Sequence, residues 1–189
     1  MNFKNLYRKS IYFLKFIGAF CVLYFGTKAI IGLTVPGGYY NSFVANYLDY
    51  PALLRSSLLN GTRLAVGIFG YQTYLRDAYH ITMVNGNGVH LVYACLGYGL
   101  LSFWIAFIWA NNGSWRKKII WIVTGCFVIC LINVVRISLR LVSSNEHWNS
   151  PISMEQHTFY NIIVYIFIFG LIWLFHNSEK KAKSRWLVA

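Results

Sequence analysis

The sequence predicts an all-α integral membrane protein. The expected fold is a four-transmembrane-helix bundle with cytoplasmic termini, an outer interfacial helix and a short β-hairpin before the second span. Three observations lead there. First, the 189 residues are 57% hydrophobic and only 12% charged, where an ordinary soluble domain carries about 25% charge. Second, residues 91–110, 119–135 and 158–175 contain no Asp, Glu, Lys or Arg, and residues 16–33 contain only Lys28; each run approaches the roughly 20 residues that span a bilayer. Third, the basic residues are clustered. Lys4, Arg8, Lys9 and Lys15 precede the first run, Arg116, Lys117 and Lys118 separate the second from the third, and Lys180, Lys181, Lys183 and Arg185 follow the last. Four crossings put all three clusters on one side, which is the positive-inside pattern.

Taken in order, the first helix covers about residues 11–33 and ends at the Gly32, Pro36, Gly37, Gly38 punctuation. Its apolar stretch is longer than a signal-peptide core and no A-x-A-like site follows, so an uncleaved helix is expected. Residues 34–92 form one extracytoplasmic segment. Within it, Pro51 to about Arg76 reads as helical, but Arg55, Arg63, Arg76 and Asp77 leave no run long enough to span, so it is expected to lie in the outer interface. Residues 79–84 and 89–93 flank Asn85-Gly86-Asn87-Gly88. Asn and Gly tolerate positive φ, so this reads as a hairpin. The remaining spans are expected near 93–111, 119–142 and 155–176, with Pro151 in an outer loop between the last two. A single membrane domain, 1–189, accounts for the chain.

Composition also limits function. The net charge of +12 and the mean hydropathy of +0.49 are those of a membrane-anchored chain, since eleven of the seventeen basic residues belong to the anchoring clusters; no nucleic-acid partner is expected. The sequence has no Walker loop, no G-x-S-x-G and no dinucleotide fingerprint. His80, His90 and His147 form no i, i+4 pair and no H-E-x-x-H arrangement, and carboxylates are scarce, so neither a metal nor another cofactor is expected.

Polar residues inside the apolar runs carry the chemistry. Cys95 falls at the outer end of the second span, Arg136 one to two turns inside the outer end of the third, and His157 in the first turn of the fourth. Arg at a helix centre costs about 2.5–3.5 kcal/mol on insertion scales, so it is expected to face protein or a watery cavity. Asn133, Arg136 and Arg140 share a helical stripe by their three- and four-residue spacings; Arg140, nearer the end, reads as an interfacial anchor or structural partner. Cys21, Cys126 and Cys130 lie deep in apolar helices and read as small inert hydrophobes. Cys95 differs by its boundary position beside Gly97 and Gly99, which permit close approach of another backbone or a substrate. Ser153 and Gln156 have capping-box spacing, and His157 and Asn161 share a face. Glu155 either caps this helix or orients His157.

With these residues in hand, the chain resembles the exosortase/archaeosortase family of membrane transpeptidases. The matching segments are Ala94-Cys95-Leu96-Gly97, Asn133-Val134-Val135-Arg136-Ile137 and His157, in order, over about residues 80–175. Leu96 stands where family members typically have Ser, and four spans would make this a short form. The resemblance implies a cell-membrane cysteine protease-transpeptidase with its site facing the extracytoplasmic side. Its catalytic residues would be Cys95, Arg136 and His157, with Asn133, Arg140, Asn161 and Gly97 in binding or supporting roles. The implied partner, besides membrane lipid, is a secreted protein with a C-terminal apolar helix and basic tail. The competing reading is a non-enzymatic scaffold subunit of an export or polysaccharide-secretion complex, in which Cys95 is unreactive.

Overall fold

The computed structural model describes the backbone of residues 3–35, 39–146 and 156–186, with side chains described for 7, 10–35, 39–146 and 161–180. Two compact units divide after Glu146. The first contains helices α1 (Phe3–Thr34), α2 (Ser42–Tyr47), α3 (Tyr50–Ile68), α4 (Tyr98–Ala110) and α5 (Trp115–Asn145). It also contains strands β1 (Thr73–Leu75), β2 (His80–Met83) and β3 (Gly88–His90) and a 3-10 turn over Tyr93–Leu96. The second contains the helix α6 (Gln156–Trp186). Pro151, Ser153 and Glu155 lie outside the described residues.

Among the described residues, three helical stretches are long and apolar enough to cross a membrane: Ser10–Thr34, Trp115–Asn145 and Asn161–Lys180. The expected second span differs. Instead of one helix over 93–111, residues Tyr93–Leu96 wind as a 3-10 turn, Gly97 takes a left-handed φ of 75°, and the α-helix begins only at Tyr98. Its 13 residues rise about 20 Å, short of the roughly 30 Å hydrocarbon core. The cause is local: Gly97 adopts without penalty a conformation that stops a helix.

Helices α1 and α4 run antiparallel, joined by aromatic contacts. Tyr24 stacks on Tyr98 at 5.4 Å and Phe16 meets Phe103 edge-on at 5.5 Å. Helix α4 meets α5 at the buried Trp104, whose indole N–H donates to the Trp121 carbonyl at 3.0 Å. Gly125 leaves the room for that ring. Gly61 of α3 does the same for Val134 of α5.

The helix expected over Pro51–Arg76 ends at Ile68. Gly70, at φ 85°, turns the chain, with the Tyr71 N–H donating to the Val66 carbonyl at 3.2 Å. The next residues, Thr73–Leu75, form a strand that the sequence reading missed. They pair with β2, so the expected hairpin is the second half of a three-stranded antiparallel sheet, β1-β2-β3. His80 stands opposite His90. The Asn85–Gly88 connection forms where expected, with Asn85 at φ 60°. Its tip is clamped to α5: the Asn87 carboxamide donates to the Ser144 carbonyl at 2.8 Å, and Asn145 donates to the Asn87 carbonyl at 3.2 Å.

One core lies under the sheet. Leu58, Leu59 and Val66 of α3, Ile81 and Met83 of β2, Leu91, Leu96, and Ile137 and Leu141 of α5 are all buried together. It binds the 3-10 turn to α5, and so fixes where Cys95 sits.

Candidate active site

Cys95 lies in the 3-10 turn, half-buried at the edge of that core and outside any disulfide. A 3-10 turn that does not continue as a helix leaves carbonyls without intrahelical donors. Here α5 supplies them. The Arg136 guanidinium donates to the Cys95 carbonyl at 3.1 Å, and the Asn133 carboxamide donates to the Leu96 carbonyl at 3.2 Å. Two residues three apart on one helix face therefore hold two consecutive carbonyls of the turn. Gly97 belongs to the same arrangement: a Cβ there would run into Asn133 Nδ2.

The stripe Asn133, Arg136, Arg140 grades outward, from buried through half-buried to exposed. Asn133 is 1% exposed, and its Oδ1 has no hydrogen-bond partner. The expectation that Arg136 faces protein rather than lipid is met by its bond to the turn. The structure thus brings together Cys95, Gly97, Asn133 and Arg136. His157 falls in the first turn of α6, and its side chain lies outside the described ones, as does all of His147. Asn161, on α6, is half-buried.

Beside the turn is a cluster the sequence reading did not identify as a unit. Arg55 of α3 is 8% exposed; its guanidinium lies 3.8 Å from the Tyr79 ring centroid and donates to the Tyr93 hydroxyl at 3.2 Å. The Tyr79 and Tyr93 hydroxyls are 3.1 Å apart. Tyr79 also stacks on His90, with centroids 6.0 Å apart and planes 25° apart. His90 Nδ1 lies 2.7 Å from His80 Nε2, and His80 Nδ1 lies 2.7 Å from an Asp77 carboxylate oxygen. Asp77 also accepts the backbone N–H groups of Tyr79 and His80, at 2.7 and 2.9 Å. The Tyr79 N–H bond holds the Asp77 carboxyl below the usual range; desolvation opposes it, and the contacts with His80 add to the lowering. Arg55 could have been singled out earlier: it is an Arg inside a helix whose Leu58, Leu59 and Thr62 share its face.

Among the described residues, no group of three His, Cys, Asp or Glu side chains is arranged to hold a metal ion.

Comparison with known families decides the class. Residues 9–174 match the family described as transmembrane exosortase. The chain belongs to the transmembrane exosortase family. Membership carries, at the level of the family, a multi-pass membrane transpeptidase, and the match runs from residue 9, within α1, through the rest of the first unit and into α6. No curated protein and no solved structure matches the chain.

Proposed function

We propose that this exosortase is a cysteine transpeptidase that cleaves C-terminal sorting signals of secreted proteins on the extracytoplasmic side of the cell membrane. The observation that carries the proposal is the Arg136 bond to the Cys95 carbonyl at 3.1 Å. It ties the only cysteine outside the apolar helices to the one arginine placed well inside α5.

In this reading the substrate's apolar tail helix lies in lipid against the bundle, and its basic end stays with the cytoplasmic clusters. That placement presents the scissile peptide at the depth of Cys95. The thiolate attacks the carbonyl carbon, the C–N bond breaks, and a thioester remains on Cys95. His157 takes the thiol proton and passes it to the leaving amine. Arg136, anchored to the backbone of the nucleophile's own residue, opposes negative charge on the sulfur or the oxyanion. Asn133 and Gly97 hold the turn, while Arg140 and Asn161 take binding or supporting roles. An acceptor amine then resolves the thioester.

The test is a secreted reporter carrying a C-terminal apolar helix and basic tail, co-expressed with the full chain. Cys95→Ala should abolish tail removal while the protein still accumulates in membranes. Tail removal at the wild-type rate by Cys95→Ala would refute the assignment.

A further inference from the structure

With both imidazoles neutral, the Asp77–His80–His90 chain runs in one direction. An ionised carboxylate only accepts hydrogen bonds, so His80 Nδ1, 2.7 Å from Asp77, carries the proton. Neutral His80 then has a bare Nε2, which must accept, so His90 Nδ1, 2.7 Å away, donates. That leaves His90 Nε2 as the open basic end of the series. Adding a proton there reverses none of these bonds.

The base is also preorganised. Two backbone N–H groups fix Asp77, the β2–β3 register fixes His80 opposite His90, and Tyr79 packs one face of the His90 ring. The groups facing the pair are Asp77, Tyr79, Tyr93 and, across Tyr79, the Arg55 guanidinium of α3; α5 meets this sheet at Asn87 through Ser144 and Asn145. The sheet needs none of this chain to hold its register, since the ladder bonds and the Asn87 clamp already do so. His90 is exposed and stands five positions before Cys95, which bounds their Cα separation at about 17 Å. The intervening Tyr93 belongs both to the Arg55–Tyr79 cluster and to the turn that carries Cys95.

We propose that His90 Nε2, oriented by His80 and Asp77, is the proton acceptor for the amine that resolves the thioester. The inference rests on the thioester reading above and assigns its second half. As the amine nitrogen bonds to the thioester carbonyl carbon, the C–S bond breaks and Cys95 leaves as thiolate. The N–H proton passes to His90 Nε2. No oxidant or further reactant is needed. His80 and Asp77 act through His90 as positioning residues.

The experiment uses epitope-tagged full-length protein co-expressed with the tailed reporter. It reads the hydroxylamine-sensitive reporter adduct on Cys95, with its decay followed across pH. His90→Gln should form the adduct and release the tail, but resolve the adduct about 10²-fold more slowly or worse, the usual scale of a lost general base. Asp77→Asn should move the pH dependence of that decay. Equal adduct in wild type and His90→Gln, including none in either, overturns the assignment; so does equal loss of tail release and resolution in His90→Gln. Adduct persisting in Cys95→Ala would instead sink the thioester reading itself. Nitrogen-15 spectra of the histidines in micelles give a check that needs no substrate. They should show Nδ1–H on both His80 and His90, and an Nε2–H tautomer at either one refutes the relay.

Discussion

Replacing Gly97 by Ala tests how the turn carrying Cys95 is held. Gly97 sits at φ 75° and ψ 13°, a conformation that costs an L-residue about 1–2 kcal/mol. The new Cβ would also run into Asn133 Nδ2. Asn133 is 1% exposed and packed inside α5, so it cannot swing into solvent. It must abandon the Leu96 carbonyl, leaving a buried acceptor unpaired at about 1–3 kcal/mol. The sum is about 2–5 kcal/mol, enough to shift the folding equilibrium by more than tenfold. A double-mutant cycle separates the parts. In an Asn133→Ala background the clash is gone, so Gly97→Ala should cost only its backbone share. Unfolding by denaturing detergent in mixed micelles reads all four corners, and the coupling should exceed about 1 kcal/mol. Effects that add within about 0.5 kcal/mol would mean that glycine and carboxamide do not meet, and the account of the turn would fail.

Other perturbations follow from the same contacts. Arg55→Met should destabilise by about 2–4 kcal/mol, because a charged hydrogen bond to Tyr93 and a cation–π contact with Tyr79 vanish together; Arg55→Lys should not restore it, since an ammonium cannot stack as a guanidinium does. Gly125→Ala forces a Cβ into the Trp104 indole and should cost about 1–3 kcal/mol, seen as a lower melting temperature and a shifted tryptophan emission. Arg136→Lys should leave membrane insertion intact but cut reporter processing by about 10²-fold, the scale of one lost transition-state donor; processing within twofold of wild type would remove Arg136 from the chemistry. Asp77 has a lowered pKa in the fold, so its contribution is full above the unfolded value near 4 and is lost as pH falls through the lower folded value. Protection of the Tyr79 and His80 amides against exchange, relative to the intrinsic rate, should therefore fall only on acidification below about pH 4.

What was legible in the sequence followed from periodicity and charge. Uncharged runs marked α1, α5 and α6, and Asn85-Gly86-Asn87-Gly88 marked the β2–β3 connection because positive φ was needed there. The polar stripe on α5 singled out Asn133 and Arg136. The missing pieces had weaker local signals. Gly97 lies in an apolar stretch where hydropathy averages over a break, so a 3-10 turn and a 13-residue helix read as one span. Strand β1 is three residues long, and its pairing with β2 is a tertiary fact. The Asp77–His80–His90 series depends on strand register, which sets His80 opposite His90 but leaves no mark in a scan for i, i+4 pairs.

The broken helix and the polar stripe explain each other. Had residues 93–110 formed one α-helix, the carbonyls of Cys95 and Leu96 would have bonded to N–H groups four residues on, and Asn133 and Arg136 would have had nothing to hold. Because Gly97 stops the helix, those carbonyls need donors, and α5 provides two at the matching three-residue spacing. The break also places Cys95 three positions before Tyr98, the first residue of α4, where no side chain caps the first-turn N–H groups. Free N–H groups at a helix start and a guanidinium bonded to the same residue both bring positive potential to that position. The interruption that makes α4 too short to cross a bilayer is thus what lets α5 hold the turn that carries Cys95.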